Sequence, residues 1–156
     1  MKKNVSILGS TGSIGISALK IFNKKKFYFK VNILSANKNY KLLISQAKIY
    51  KPKYIYINNR KYYQFIKQEL ADTKIMILDN EQLHSYLKCN ESDLTLLAIS
   101  GYESLNFLES IFLNTKNIGL VNKECVVSAG HLLSKLIKKY NVNIFPLDSE
   151  HYSLYN

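Results

Sequence analysis

Short runs rich in branched apolar residues recur along the chain, each followed by a stretch whose apolar positions fall three or four apart. The runs cover residues 4–8, 30–35, 54–57, 74–78, 94–99, 118–121 and 143–147. Helical stretches between them cover residues 14–22, 41–50, 61–70, 82–88, 104–113 and 127–140. In the second of these, Leu42, Leu43, Ala47 and Tyr50 fall at helical spacing while Lys41 and Lys48 face out. Nearly continuous apolar strands that alternate with helices predict a parallel sheet covered on both faces. The expected class is therefore α/β, a Rossmann-like, doubly wound, mostly parallel sheet. No repeat, low-complexity tract or linker interrupts residues 1–147, which read as one domain. Residues 148–156 follow the last strand with no room for another helix, so they read as the start of a second, truncated domain.

The first strand–helix junction carries Gly9-Ser10-Thr11-Gly12-Ser13-Ile14-Gly15. Glycines at this spacing give a turn its backbone freedom, allow close approach to a phosphate, and let the helix pack against its strand. The free amides and dipole at the helix start form an anion site, and the Thr11 and Ser13 hydroxyls add donors. A Gly-Ser turn also joins strands to helices without a ligand, but its place in this α/β pattern favours a dinucleotide. Sites that prefer NADH carry an acidic residue at the end of the second strand, for the ribose 2′-hydroxyl. Here that strand runs into Ala36-Asn37-Lys38-Asn39, with no carboxylate. Lys38 is either an ordinary solvated lysine or the partner of a 2′-phosphate, and the missing acid favours NADPH.

Composition changes the picture little. The 156 residues carry a formal net charge of +11, which invites a nucleic-acid reading. Only one of the 22 basic residues, Arg60, is an arginine, the side chain that forks onto phosphates and guanine edges. The abundance of Lys, Asn, Ile and Tyr together is what an AT-rich genome imposes on any protein, and no nucleic-acid partner is expected. Cys89 and Cys125 lack metal-site or disulfide spacing. The apolar run behind Met1-Lys2-Lys3 stops at Gly9, too short for a signal peptide, and nothing later is long enough to span a membrane. A cytoplasmic protein with no membrane partner is the expectation.

Two more strand ends carry polar clusters, Asn122-Lys123-Glu124 and Asp148-Ser149-Glu150. Ligands of open α/β sheets bind at the C-terminal ends of strands. Asp148 and Glu150 share a side in extended backbone, and paired carboxylates suit a hard divalent cation such as Mg²⁺ or Mn²⁺. Ser149 stands where it reaches a substrate oxygen. The Asp-x-Glu spacing alone does not separate a metal site from two solvated carboxylates.

Taken in order and at these distances, the glycine turn, Asn122-Lys123-Glu124 and Leu147-Asp148-Ser149-Glu150-His151 resemble the 1-deoxy-D-xylulose 5-phosphate reductoisomerase family. The match runs along the whole chain. It implies the NADPH-binding domain plus the start of the catalytic domain of a longer enzyme, a homodimer when full-length. By that resemblance Thr11, Gly12, Ser13 and Ile14 line the NADPH pyrophosphate, and Asn37, Lys38 and Asn39 surround the 2′-phosphate. Asn122 and Glu124 contact NADPH, Lys123 and Ser149 contact the sugar phosphate substrate, and Asp148 and Glu150 hold the metal. Lys123 and Glu150 are the expected catalytic residues. The implied reaction rearranges and reduces 1-deoxy-D-xylulose 5-phosphate to 2-C-methyl-D-erythritol 4-phosphate, a step toward isoprenoid precursors, and 156 residues alone are expected to be inactive. Departures from the family pattern are Asn37, where Gly is usual, Tyr152, where Asn is usual, and Ser100-Gly101-Tyr102. Two other readings compete. A semialdehyde-dehydrogenase-like NADP oxidoreductase would need Cys125 as its thiolate nucleophile, and a non-catalytic nucleotide-binding module would need no nucleophile.

Overall fold

Strand β1 (Lys3–Leu8) is buried from Val5 to Leu8, and it forms the middle of a seven-stranded sheet. The computed structural model describes residues 1–121 and 123–147 of the chain. Beyond β1 come α1 (Ser13–Lys24), β2 (Phe29–Ala36), α2 (Tyr40–Tyr50), β3 (Tyr54–Ile57) and a 3-10 turn, Arg60–Tyr62, that leads into α3 (Tyr63–Glu69). The chain continues through β4 (Met76–Leu78), α4 (Asn80–Cys89), β5 (Leu94–Leu97) and a 3-10 stretch, Tyr102–Phe107, into α5 (Leu108–Asn114). It then forms β6 (Asn117–Leu120), α6 (Lys123–Tyr140) and β7 (Asn143–Pro146). Every strand pairing is parallel, and the order is β4-β3-β2-β1-β5-β6-β7. Each parallel neighbour needs a crossover, and the intervening helices supply it. The expected α/β architecture is the one observed.

Strand side chains alternate between two apolar layers. Val5, Ile7, Leu34, Ile55 and Ile57 pack with Leu19, Leu43, Ala47 and Ile66 on the face covered by α1, α2 and α3. Leu8, Ile33, Tyr56 and Leu97 pack with Leu83, Leu87, Ile111, Phe112 and Leu133 on the face of α4, α5 and α6. Chain direction across the sheet reverses between β1 and β5, which creates a crevice beyond their C-terminal ends.

Several boundaries depart from the sequence expectation; the helix expected from residue 104 begins as the 3-10 stretch Tyr102–Phe107 and turns α-helical only at Leu108. The fourth strand starts at Met76 instead of residue 74. The Thr73 hydroxyl donates to the Leu70 carbonyl (2.7 Å) and accepts from the Ile75 amide (3.3 Å), so a local turn takes the backbone groups a strand would use. Helix α6 starts at Lys123 instead of residue 127, with non-helical backbone at Ala129 (φ −121°, ψ 17°). Lys123 and Glu124 therefore belong to the first turn of a helix and not to a loop. At the far edge β7 carries Pro146, a residue that edge strands tolerate because one side of their ladder is unpaired.

Candidate functional site

The turn after β1 is fixed by contacts that only glycine allows at two positions. Gly9 has φ +91°, and a Cβ there would stand 2.3 Å from the Ala98 carbonyl oxygen beyond β5. A Cβ on Gly15 would stand 2.4 Å from the Gly9 carbonyl oxygen, so α1 abuts its own entry turn. Gly12 differs, because its nearest neighbour would be 3.5 Å away, an ordinary contact. Packing does not demand glycine at position 12, whereas a ligand pressed against the backbone would.

Gly12 is the N-cap of α1, makes no side-chain capping bond, and has no acidic residue in the following turn. By contrast, Asp79 and Gln82 close a full capping box on α4, and Asn39 caps α2. The first amides of α1 are thus left for an anion. The turn is anchored from below. The Gly9 amide donates to Ser35 Oγ (3.0 Å) and the Ser10 amide to the Ser35 carbonyl (2.8 Å).

This turn opens into a cleft of ≈ 630 Å³ at the C-terminal ends of β1 to β5. Such a volume suits a cofactor-sized ligand. Of the residues singled out in the sequence, Thr11, Gly12, Asn37 and Asn39 are brought together in its lining. Ser13 and Ile14 sit exposed in the first turn of α1, and Lys38 is exposed between the two asparagines. None of the three is in the cleft wall, so α1 can offer the amides of Ser13 and Ile14 more readily than their side chains. Lys123 and Glu124 start α6 beyond β6. Asn122, Asp148, Ser149 and Glu150 lie outside the described residues. Among the described residues no group of three or more His, Cys, Asp or Glu side chains forms a metal site.

The cleft also recruits residues that the sequence reading missed: Tyr56, Asn58, Asn80, His84, Glu103 and Phe107. Most follow the ends of β3, β4 and β5, the same positional rule that singled out the other polar clusters. The Asn58 amide donates to Asn37 Oδ1 (3.1 Å). The Tyr56 hydroxyl donates to Asn58 Oδ1 (2.9 Å) and lies 3.3 Å from Asn80 Oδ1. Burial raises the Tyr56 phenol above its ordinary value, against the opposing pull of Arg60, so it remains a donor at neutral pH. His84 Nδ1 lies 3.0 Å from Ser110 Oγ, and the imidazole stacks on Phe107 with centroids 5.1 Å apart. Burial, helped by the charge of Lys88, holds His84 below the usual histidine value and keeps it neutral.

Comparison with known proteins agrees with this geometry. Residues 5–130 match the family model of 1-deoxy-D-xylulose 5-phosphate reductoisomerase. The chain belongs to that family. A reductoisomerase from Pelagibacter ubique is 35% identical over 156 residues, covering 99% of this chain and 40% of its own length. The solved reductoisomerase of Zymomonas mobilis in complex with NADPH superimposes with a TM-score of 0.90 at 31% identity, covering 97% of this chain and 40% of that one. A second solved reductoisomerase, in complex with NADPH, fosmidomycin and magnesium, gives a TM-score of 0.87 at 32% identity, covering 96% and 37%. The chain therefore spans about 40% of the length of the relatives it matches. Membership of the reductoisomerase family leaves the semialdehyde dehydrogenase reading, with Cys125 as nucleophile, without support. Among the described residues no helix is long and apolar enough to cross a membrane.

Proposed function

We propose that these residues are the NADPH-binding part of a 1-deoxy-D-xylulose 5-phosphate reductoisomerase. The observation that carries the reading is the uncapped start of α1, opening at Gly12 into the cleft beside a β2 end that has no carboxylate. Those features fit a phosphorylated dinucleotide. The amides at Gly12, Ser13 and Ile14, with Thr11, hold the pyrophosphate, while Asn37, Lys38 and Asn39 hold the 2′-phosphate. Asn122 and Glu124 orient the nicotinamide half. Bound NADPH supplies hydride, while the protein supplies position and charge.

In the whole enzyme the remaining roles follow from the residue chemistry. Lys123 and Ser149 bind the sugar phosphate, and Asp148 and Glu150 contribute two carboxylates to a Mg²⁺ or Mn²⁺ site. That ion supplies Lewis acidity during rearrangement to 2-C-methyl-D-erythritol 4-phosphate. A domain boundary after residue 147 puts the metal carboxylates at the head of the catalytic domain. On this reading the 156-residue chain alone binds cofactor without turnover. A cytoplasmic homodimer without nucleic-acid or membrane partners completes the proposal.

Titration with NADPH and with NADH, followed by nicotinamide fluorescence, tests the reading. Saturable NADPH binding that NADH does not match is the expected result. Equal affinity for both would overturn the assignment of Asn37, Lys38 and Asn39, and binding of neither would overturn the cofactor role.

A further inference from the structure

Asn58, Asn80, His84 and Phe107 line the cleft beside the phosphate-binding groups, Asn58 joined to Asn37 by a hydrogen bond. Asn80 and His84 are four apart on α4, so both project from the same face of one helix. Their free hydrogen-bonding atoms are opposite in kind. The Oδ1 atoms of Asn58 and Asn80 both face the Tyr56 hydroxyl, and Asn58 Nδ2 is spent on Asn37. Asn80 thus turns its Nδ2 donor away from the carbonyl side that Tyr56 engages. His84 is held by Ser110 on one edge and by the Phe107 ring on one face. Among the described residues nothing hydrogen-bonds to its Nε2. When Nδ1–H donates to the Ser110 hydroxyl, Nε2 carries a lone pair.

We infer that His84 reads the base of the bound dinucleotide, Nε2 accepting from the exocyclic amine of a 6-aminopurine while Asn80 Nδ2 donates to the adjacent ring nitrogen. The inference rests on the NADPH reading above and names a specificity determinant within that site. Adenine presents an amino donor next to a ring-nitrogen acceptor, the complement of an acceptor–donor pair on one helix face. A 6-oxopurine presents the reverse pattern and would set its carbonyl lone pair against that of Nε2. Preorganisation supports the assignment, since His84 is already fixed by Ser110 and Phe107 and loses little freedom when a base arrives. The charged groups nearby are Lys88, one turn along α4, and Glu103, also in the cleft lining.

The test compares NADPH with its hypoxanthine analogue, which differs only in the 6-substituent and the neighbouring ring proton. The wild-type chain is expected to bind NADPH about tenfold more tightly, the scale of one lost hydrogen bond plus an unpaired acceptor. His84→Phe keeps a ring against Phe107 but removes the acceptor, and it should shrink the preference for NADPH to the part that Asn80 supplies, an unchanged preference counting against the inference. Histidine side-chain ¹⁵N spectra give a readout that needs no variant. The chain has three histidines, and adenosine 2′,5′-bisphosphate should shift the His84 Nε2 resonance while leaving its tautomer unchanged. Equal affinity of the wild type for the two dinucleotides, or an unmoved His84 resonance at saturation, would overturn the inference with NADPH binding intact. Failure of NADPH itself to bind would instead overturn both this assignment and the function on which it rests.

Discussion

Ser10 and Gln46, 36 residues apart, hydrogen-bond to each other twice. The Ser10 hydroxyl donates to Gln46 Oε1 (2.7 Å), and Gln46 Nε2 donates to the Ser10 carbonyl (2.8 Å). Both residues are buried, at 0% and 4% exposure, where an unpaired amide or carbonyl is costly. Helix α2 thereby clamps the turn that presents Gly12 to the cleft. A polar residue at position 46 interrupts an otherwise apolar helix face because it serves the phosphate turn and not the core.

Replacing that clamp tests its worth. Gln46→Leu leaves the Ser10 carbonyl without its side-chain donor and the Ser10 hydroxyl with only the Ser35 carbonyl (3.1 Å), and should destabilise the chain by about 1–3 kcal/mol. Urea unfolding should show a lower midpoint with an unchanged slope. NADPH should also bind more weakly, because the turn loses its support. Stability equal to wild type would mean that the pair only fills space.

The three glycines should separate folding from binding. Gly9→Ala and Gly15→Ala place a Cβ within 2.4 Å of backbone oxygens, and each should cost about 2 kcal/mol or more. Gly12→Ala meets nothing closer than 3.5 Å and should cost less than about 1 kcal/mol. It should nevertheless weaken NADPH at least about tenfold, a scale set by displacing phosphate from the helix amides. Thermal unfolding and cofactor titration on the same samples make the comparison.

Cofactor choice is predicted to turn on the end of β2. Asn37→Asp retains the oxygen that accepts from Asn58 Nδ2 at 3.1 Å, so the fold should hold. The new carboxylate repels a 2′-phosphate and accepts from a ribose hydroxyl. The NADPH-to-NADH affinity ratio should fall by about tenfold or more, on the scale of one charge-assisted hydrogen bond. An unchanged ratio would place the 2′-phosphate elsewhere.

The opposite end of the sheet predicts a pH effect. Asp93 accepts from the Asn4 amide (2.8 Å) and from Lys116 (3.1 Å), which together hold its carboxyl below the ordinary value of 3.8. The backbone bond is the larger cause. A carboxylate with a depressed folded-state pKa contributes stability that is complete above its unfolded value and lost as pH falls through the folded one. Asp93→Asn should therefore flatten the acid limb of the stability curve below about pH 4. The same variant should leave NADPH binding unchanged, since Asp93 lies at the end of the sheet away from the cleft.

The local pattern of the sequence determined the elements and their class. Nearly continuous apolar strands could be satisfied only by a sheet covered on both faces, and the glycine turn could serve only where a strand meets a helix. The observed β3 coincides with its predicted span because Tyr54-Ile55-Tyr56-Ile57 alternates cleanly between the two apolar layers. Boundaries that depend on competing hydrogen bonds were not legible, as the Thr73 turn ahead of β4 shows. The site divides in the same way. Thr11, Gly12, Asn37 and Asn39 could be read from the sequence because each adjoins a strand end within a single strand–turn–helix unit. Only tertiary structure brought Asn58, Asn80 and His84 to the same cleft, by aligning β3 and β4 beside β2 and packing α4 against the sheet. It also set His84 on Phe107 and Ser110, and Gln46 under Ser10. Those contacts join residues far apart in the chain, and no local periodicity encodes a meeting that packing alone creates.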